Sequence, residues 1–306
     1  MTVTPKTFLS IGECMAELSP LGGDDYRMGF AGDTFNTAWY ARRLLPAEWT
    51  VAYGTCLGDD TVSDRMLRFM QEAGIDTETT REVPGRTVGL YMIQLQAGER
   101  SFSYWRGQSA ARALADDAAW LEGIIAGAGA ILFSGITLAI LTPEGRARFC
   151  AAVAKARAAG KLVAFDPNHR PRLWDGEEDM RTGLMQGAAV ADIVLPSFDE
   201  EAALFGDDGP AATIARYANA GARLVAVKNG AGALHVWDRD GFAHAFAPPA
   251  ATQVVDTTAA GDSFNAGFLA AHLQGAPLPE AVERAMALSA RVVGAKGALV
   301  EGATAP

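Results

Sequence analysis

Chemistry concentrates near residue 260, in the run Val254-Val255-Asp256-Thr257-Thr258-Ala259-Ala260-Gly261-Asp262-Ser263-Phe264-Asn265-Ala266-Gly267-Phe268. An apolar lead-in gives way to small residues, and Gly261-Asp262 then opens a helical pattern that continues through Leu273. Small residues let backbone N–H groups crowd together at a helix start. Those unpaired groups and the positive end of the helix form an anion site. Asp262 in that place is either a helix cap or a carboxylate poised beside a bound anion. The flanking Ala-Ala-Gly run and a second carboxylate, Asp256, favour chemistry.

Three further segments carry candidate groups. Phe165-Asp166-Pro167-Asn168-His169-Arg170-Pro171-Arg172-Leu173-Trp174 ends a strand-like run, and ligands gather at the carboxyl ends of strands in open α/β sheets. Its arginines suit an anionic group, because a guanidinium can hold a carboxylate with two hydrogen bonds; a solvated surface loop is the equally weighted alternative. His169 is a candidate base or only a hydrogen-bonding residue. The turn Lys228-Asn229-Gly230-Ala231-Gly232 follows an apolar run and could admit a phosphate chain or an adenine, or be a tight turn into Leu234–Trp237. Tyr104-Trp105-Arg106 joins aromatics to a cation, which suits closure over a polar ligand or packing against another subunit. The chain has no GxxxxGK[ST], and no GxGxxG follows a strand, so neither a P-loop nor a dinucleotide fingerprint is supported.

The elements that must position these residues alternate. Phe8–Ile11, Val51–Tyr53, Ile131–Phe133, Leu162–Phe165, Ile193–Leu195 and Leu224–Val227 are short apolar runs that read as buried strands. Phe35–Leu45, Asp64–Glu72, Glu144–Ala159 and Glu280–Val293 carry apolar residues at helical spacing. Strand–helix alternation predicts a parallel sheet covered on both faces. Arg86–Gln96 and Arg100–Trp105 break the rhythm: with Ala97-Gly98-Glu99 between them they read as a hairpin flap.

Composition bounds the partners. The chain has 306 residues, 49% hydrophobic and 20% charged, with 26 Lys and Arg against 36 Asp and Glu, a net charge of −10. That balance argues against binding a nucleic-acid backbone, yet a few local cations could still hold an anionic small substrate. Three scattered cysteines, without CxxC or a Cys/His cluster, indicate neither a zinc site nor a disulfide framework. The short apolar run at the N-terminus and the lack of any long apolar segment lead to the expectation of a soluble, cytoplasmic protein.

Asp256–Phe268 (DTTAAGDSFNAGF) resembles the C-terminal signature of the ribokinase-like (PfkB) carbohydrate kinases. Gly29–Asn36 (GFAGDTFN) resembles their substrate-side glycine motif, and Lys228–Gly232 falls at their nucleotide turn. Ile11–Ser19, Asp33–Thr37, Tyr104–Arg106, Ser134–Leu141 and Phe165–Trp174 are similar to the members of that family that act on 2-keto-3-deoxygluconate. The resemblance implies a single ribokinase-like α/β domain over 1–306: a central, mostly parallel sheet flanked by helices, with a small β-lid from segments near 13–33 and 86–106. It implies transfer of the ATP γ-phosphate to the 6-hydroxyl of 2-keto-3-deoxygluconate, with Mg2+ and with K+ as a further cation. A kinase for another sugar, such as fructose or ribose, is the alternative, and a non-catalytic sugar-binding regulator a more distant one.

Carried over by motif, the resemblance implies Asp262 as general base and Ala259, Ala260 and Gly261 as the anion hole. It implies Gly32, Asp33, Asn36, Tyr91, Tyr104, Arg106 and Arg170 as sugar contacts, with Arg170 the first choice for the substrate carboxylate. Ser197, Lys228, Gly230, Gly232 and Gly261 fall on the nucleotide side. Glu200 matches an acidic position near magnesium, acting through water, and Asp256 and Thr258 match positions that hold a monovalent cation. Ala31, Ser103, Ser197 and Ala233 depart from the family pattern. A homo-oligomer formed through the lid completes the expectation.

Overall fold

The computed structural model describes residues 5–96, 99–249 and 253–305. Ala97 and Gly98 of the hairpin turn read from the sequence lie outside the described residues. The chain runs through β1 (Thr7–Ile11), β2 (Met15–Gly22), β3 (Asp25–Ala31), α1 (Asp33–Leu44), β4 (Thr50–Leu57), α2 (Thr61–Glu72), β5 (Thr80–Glu82), β6 (Gly89–Gln96) and β7 (Glu99–Trp105). It continues through α3 (Ala118–Gly127), β8 (Ala130–Ser134), α4 (Gly135–Ala139), α5 (Pro143–Ala158), β9 (Leu162–Asp166), α6 (Glu177–Ala189), β10 (Ile193–Val194), α7 (Phe198–Phe205) and α8 (Pro210–Ala220). β11 (Leu224–Val227), β12 (Leu234–Asp238), β13 (Ala243–Phe246), α9 (Ala260–Leu273) and α10 (Leu278–Val293) complete it.

Nine strands form the main sheet in the order β13-β12-β11-β10-β9-β8-β1-β4-β5. Strands β11 through β5 in that order pair in parallel, and β12 and β13 are added antiparallel. The parallel strands are short and apolar because both faces are covered. Successive side chains point to opposite faces. Phe8, Val51, Leu132 and Ala226 therefore enter one core with residues of α1, α2, α9 and α10, while Leu9, Ile131, Phe133 and Val225 enter a second with residues of α3, α5 and α6. The helices read from periodicity are all present, with ends displaced by at most three residues.

A second sheet of four strands, β3-β2-β6-β7, is separate from the first. It contains the expected hairpin, β6 antiparallel to β7, and joins it to β2 and β3. A small apolar cluster of Met15, Ala31, Tyr91, Ile93 and Ala298, with Ala259 packed against it, connects this sheet to the start of α9. Ala31 is accommodated there, buried and paired with Met15. Among the described residues no helix is long and apolar enough to cross a membrane.

Candidate active site

β1 lies between β8 and β4, so the chain leaves the sheet in opposite directions beside it, the kind of switch point where open α/β sheets bind ligands. Just beyond the strands' carboxyl ends come Glu13 after β1, Asn168 after β9 and Lys228 after β11, while Ser134 and Asp166 close β8 and β9 side by side. Two helix starts converge on the same place. α1 begins at Asp33 directly after β3, and its N-cap Gly32 crosses the Glu13–Cys14 backbone so closely that a Cβ would overlap the Glu13 carbonyl oxygen. Only glycine fits that crossing.

α9 begins unusually. Ala259 has φ 59° and ψ 16°, the left-handed region that L-residues with a side chain avoid, at a cost of roughly 1–2 kcal/mol. The Ala260 N–H donates to the Thr257 carbonyl at 3.2 Å, and the reversal of hand between Ala259 and Ala260 leaves the next N–H groups, of Gly261 and Asp262, as the donors of the helix start. Ser263 and Ser289 hydroxyls both donate to the Ala260 carbonyl, at 3.0 and 2.9 Å, and hold the turn from behind.

The Asp262 carboxylate accepts a hydrogen bond from Asn36 Nδ2 at 2.8 Å, and its carbonyl accepts one from Thr37 Oγ1 at 3.2 Å. Burial raises the Asp262 pKa to about 8; the charges of Asp33 and Asp166 push it up too, while the Asn36 bond and the Lys228 ammonium pull it back. Asp262 caps nothing: no side-chain capping bond is made at the start of α9. Asp33 accepts from Asn168 Nδ2 at 2.7 Å. Gly32, Asp33, Asn36 and Asp262 are thus brought together.

A cleft of about 810 Å3 opens on the other side of the α9 start. It is lined by the Lys228–Gly232 turn, by Ser197, by Gly261 and by apolar side chains that include Val254, Phe264 and Val293. Gly230, at φ +52°, makes the turn possible. A flat apolar slot beside a nest of N–H donors suits a base with a phosphate chain.

The remaining expected residues are placed as follows. Tyr91, Tyr104 and Arg106 belong to the lid sheet or its end: Tyr91 is buried and donates its hydroxyl to Glu17, and Tyr104 is exposed. Arg106 and Arg170, both expected among the sugar contacts, each already carry a carboxylate of the chain. Arg106 pairs with buried Glu13, leaving its own Nε without a partner. Arg170 donates to Glu200 at 3.0 Å. A buried cation such as Arg106 persists only when paired, and spacing along the chain does not reveal a partner 93 or 30 residues away. His169 is buried, with Nε2 3.2 Å from Glu201 Oε1 but making no hydrogen bond, beside the Glu201 contacts of Tyr217 and Arg216.

Glu200 accepts the His169 N–H at 3.1 Å as well as Arg170, and burial and the Asp166 charge raise its pKa. Its carboxylate oxygens, shared with the Arg170 guanidinium, are the ligand type a divalent cation takes while keeping several waters. Asp256 accepts from Thr258 N and Oγ1 and from Gly297 N, at 3.0, 2.7 and 2.8 Å. It ties the loop before α9 to the segment after α10. Among the described residues no cluster of three or more His, Cys, Asp or Glu side chains could enclose a metal by itself.

Sequence reasoning passed over Asp166, Asn265 and Glu13. Asp166 accepts from Lys228 Nζ at 3.0 Å and from Asn265 Nδ2 at 2.6 Å. The available signal was a single acidic residue at the end of an apolar strand, in both Asp166 and Glu13.

Comparison with known proteins gives the family of the chain. Residues 6–302 match the model of the pfkB family carbohydrate kinases. The chain is 39% identical to 2-dehydro-3-deoxygluconokinase of Escherichia coli strain K12, covering 96% of this chain and 97% of that protein. It superposes on a PfkB protein from Polaromonas sp. JS666 with TM-score 0.80 and 30% identity, covering 94% and 95% of the two chains. A fructokinase from Xylella fastidiosa with bound ATP gives 0.81 and 25%, covering 96% and 94%. With its sheet, its lid and its matched length, the chain belongs to the pfkB family of carbohydrate kinases.

Proposed function

We infer that the protein transfers the γ-phosphoryl group of ATP to the 6-hydroxyl of 2-keto-3-deoxygluconate, giving the 6-phosphate and ADP. The observation that carries the reaction is Asp262. Its carboxylate faces Asn36 on the acceptor side, and its helix start opens on the nucleotide cleft on the other. The sugar acid follows from likeness to 2-dehydro-3-deoxygluconokinases over nearly the whole chain.

In this reading Asp262 takes the hydroxyl proton as the sugar oxygen attacks the γ-phosphorus. The new O–P bond forms, the bond to the β-phosphate oxygen breaks, and ADP leaves. A carboxylate whose proton affinity burial has raised is a better base than an exposed one. The N–H groups of Gly261 and Asp262 stabilise the charge on the phosphoryl oxygens, where one such donor is worth roughly 3–4 kcal/mol. Gly32, Asp33 and Asn36 orient the sugar hydroxyls. The lid strands carrying Tyr91 and Tyr104, with Arg106 just beyond β7, close over it and exclude water. Arg170, whose guanidinium is half exposed beside Glu200, is the first choice for the substrate carboxylate, while Arg106 stays paired with Glu13.

Ser197, Lys228, Gly230, Gly232 and Gly261 form the nucleotide side. Glu200, through water, would hold Mg2+, which when bound neutralises phosphate charge. A monovalent cation such as K+ would sit at the loop of Asp256 and Thr258, next to the α9 start it would stiffen. The exposed lid aromatics Phe102, Tyr104 and Trp105 support a homo-oligomer formed through the lid. An ATP-consumption screen across sugar acids and neutral sugars tests the assignment. Preference for 2-keto-3-deoxygluconate sustains it, and preference for fructose or ribose replaces it with the general sugar-kinase reading.

A further inference from the structure

Lys228 does more than begin a turn. Its side chain is nearly buried, at 11% exposure, and reaches across the sheet edge to the start of α9. Its Nζ donates to Asp166 Oδ2 at 3.0 Å and to Asn265 Oδ1 at 3.3 Å, and lies 3.3 Å from where a Cβ on Gly261 would stand. Asn265 also donates to Asp166 at 2.6 Å. Three elements that meet only in the folded chain, β9, β11 and α9, thus fix one ammonium at one point. That point lines the nucleotide cleft, and it is close enough to Asp262 for its charge to lower that carboxylate's pKa.

An ammonium has three protons to donate. Two are directed to Asp166 and Asn265, and the third can serve an anion at the Gly261 helix start. A surface lysine at a nucleotide turn would keep its amine in water. Here a buried carboxylate and an amide hold it at the seam between the donor cleft and the acceptor pocket.

We propose that the Lys228 ammonium is a catalytic cation of the phosphoryl transfer, held by Asp166 and Asn265 so that it contacts the oxygens of the γ-phosphoryl group as that group passes to the sugar. The inference rests on the kinase reading above. It forms no bond of its own: the hydroxyl proton still goes to Asp262 and the leaving group is still ADP. Phosphoryl transfer asks of the protein chiefly positioning and charge stabilisation, and a preorganised cation needs no reorganisation as the charge moves.

The test is steady-state kinetics of K228M on the full chain with 2-keto-3-deoxygluconate, ATP and magnesium. Wild-type turnover is measured first; its absence defeats the kinase reading rather than this one. The expected result is a fall in kcat of about 100- to 1,000-fold, with the KM for sugar within a small factor. K228M strands Asp166 as an unpaired buried charge, so the K228M/D166N double variant is measured beside it, including where K228M fails to fold. A catalytic cation leaves the double variant as slow as K228M. Recovery of kcat in the double variant would reduce Lys228 to a structural partner of Asp166. A rise in the KM for ATP with kcat intact would leave it a ground-state nucleotide ligand. The pH profile of K228M gives a second reading: its acid limb should move up, because Asp262 would then face Asp33 and Asp166, with neutral Tyr40 beside it, without the ammonium that lowers its pKa. An unmoved limb overturns the placement of Lys228 beside the reacting atoms.

Discussion

Two aspartates about a hundred residues apart in sequence end up in one site and are treated in opposite ways. Asp166 ends β9 and receives a cation and an amide, Lys228 at 3.0 Å and Asn265 at 2.6 Å. Asp262 begins α9 and receives only an amide, Asn36 at 2.8 Å, while Asp33 and Asp166 face it with like charge. The paired carboxylate is a fixed negative anchor for an ammonium. The carboxylate bonded only to an amide is left, chiefly by burial, with a raised proton affinity, which is the property a base needs. Side-chain chemistry is identical in the two, so the environment alone separates their roles.

The contrast breaks most visibly at Asp262. Asp262→Asn keeps the shape and the Asn36 contact but cannot take a proton, so turnover should fall about 100- to 10,000-fold with sugar affinity within a small factor. A variant keeping more than about a tenth of turnover would demote Asp262 to a structural group. The same residue sets a pH dependence. In the ligand-free protein its pKa is about 8 against about 3.9 in an unfolded chain, so between those values the folded state keeps a proton that the unfolded state has lost. Stability should therefore decline as pH rises from about 4 toward 8 on this account. Asp262→Asn removes the decline, and its stability relative to wild type should grow across that window in denaturant titrations.

Asp166→Asn attacks the other member of the pair. It leaves Lys228 buried beside a neutral amide, and breaking a buried pair from one side costs about 3–5 kcal/mol. Chemical denaturation compares it with Asp262→Asn at neutral pH. A loss for Asp166→Asn no larger than for Asp262→Asn would remove the distinction between anchor and base.

Arg170 sharpens the comparison from the solvent side. Its pair with Glu200 is half exposed, at 48% and 25%, so Arg170→Lys should change stability by less than about 1 kcal/mol. If its guanidinium also serves the substrate carboxylate, the KM for the sugar acid should rise about 10- to 150-fold, the equivalent of losing a charge-assisted hydrogen bond. A neutral sugar should be little affected. Equal weakening of both substrates would leave Arg170 as a partner of Glu200 alone.

The smallest effect is expected at Ala259. Glycine accepts φ 59° without strain, so Ala259→Gly relieves roughly 1 kcal/mol in the folded state, offset by the greater freedom of the unfolded chain. Stability should stay within about 1 kcal/mol of wild type. Ala259→Val, at the same φ, should lose both stability and turnover, because it loosens the turn that aims Asp262.

The main sheet was legible in the residues themselves. Strands such as Leu162–Asp166 and Leu224–Val227 are buried on both faces, so an uninterrupted apolar run marks them wherever the chain places them. The lid was less so. Met15–Gly22 and Asp25–Ala31 are buried only at Met15-Ala16 and Phe30-Ala31, grow exposed toward the turn between them and carry polar residues, and only resemblance drew attention to them. The Asp262 run announced itself because a helix start built of Ala-Ala-Gly is a local matter of backbone and small side chains. Local sequence also supplies the carboxylates, the arginines and the turn glycines. What it could not supply is the pairing. Asp33 with Asn168, Asn36 with Asp262, Arg106 with Glu13 and Lys228 with Asp166 join residues 62 to 226 positions apart. A charge acquires its role from the charges within a few ångströms of it, and only the tertiary structure decides which those are.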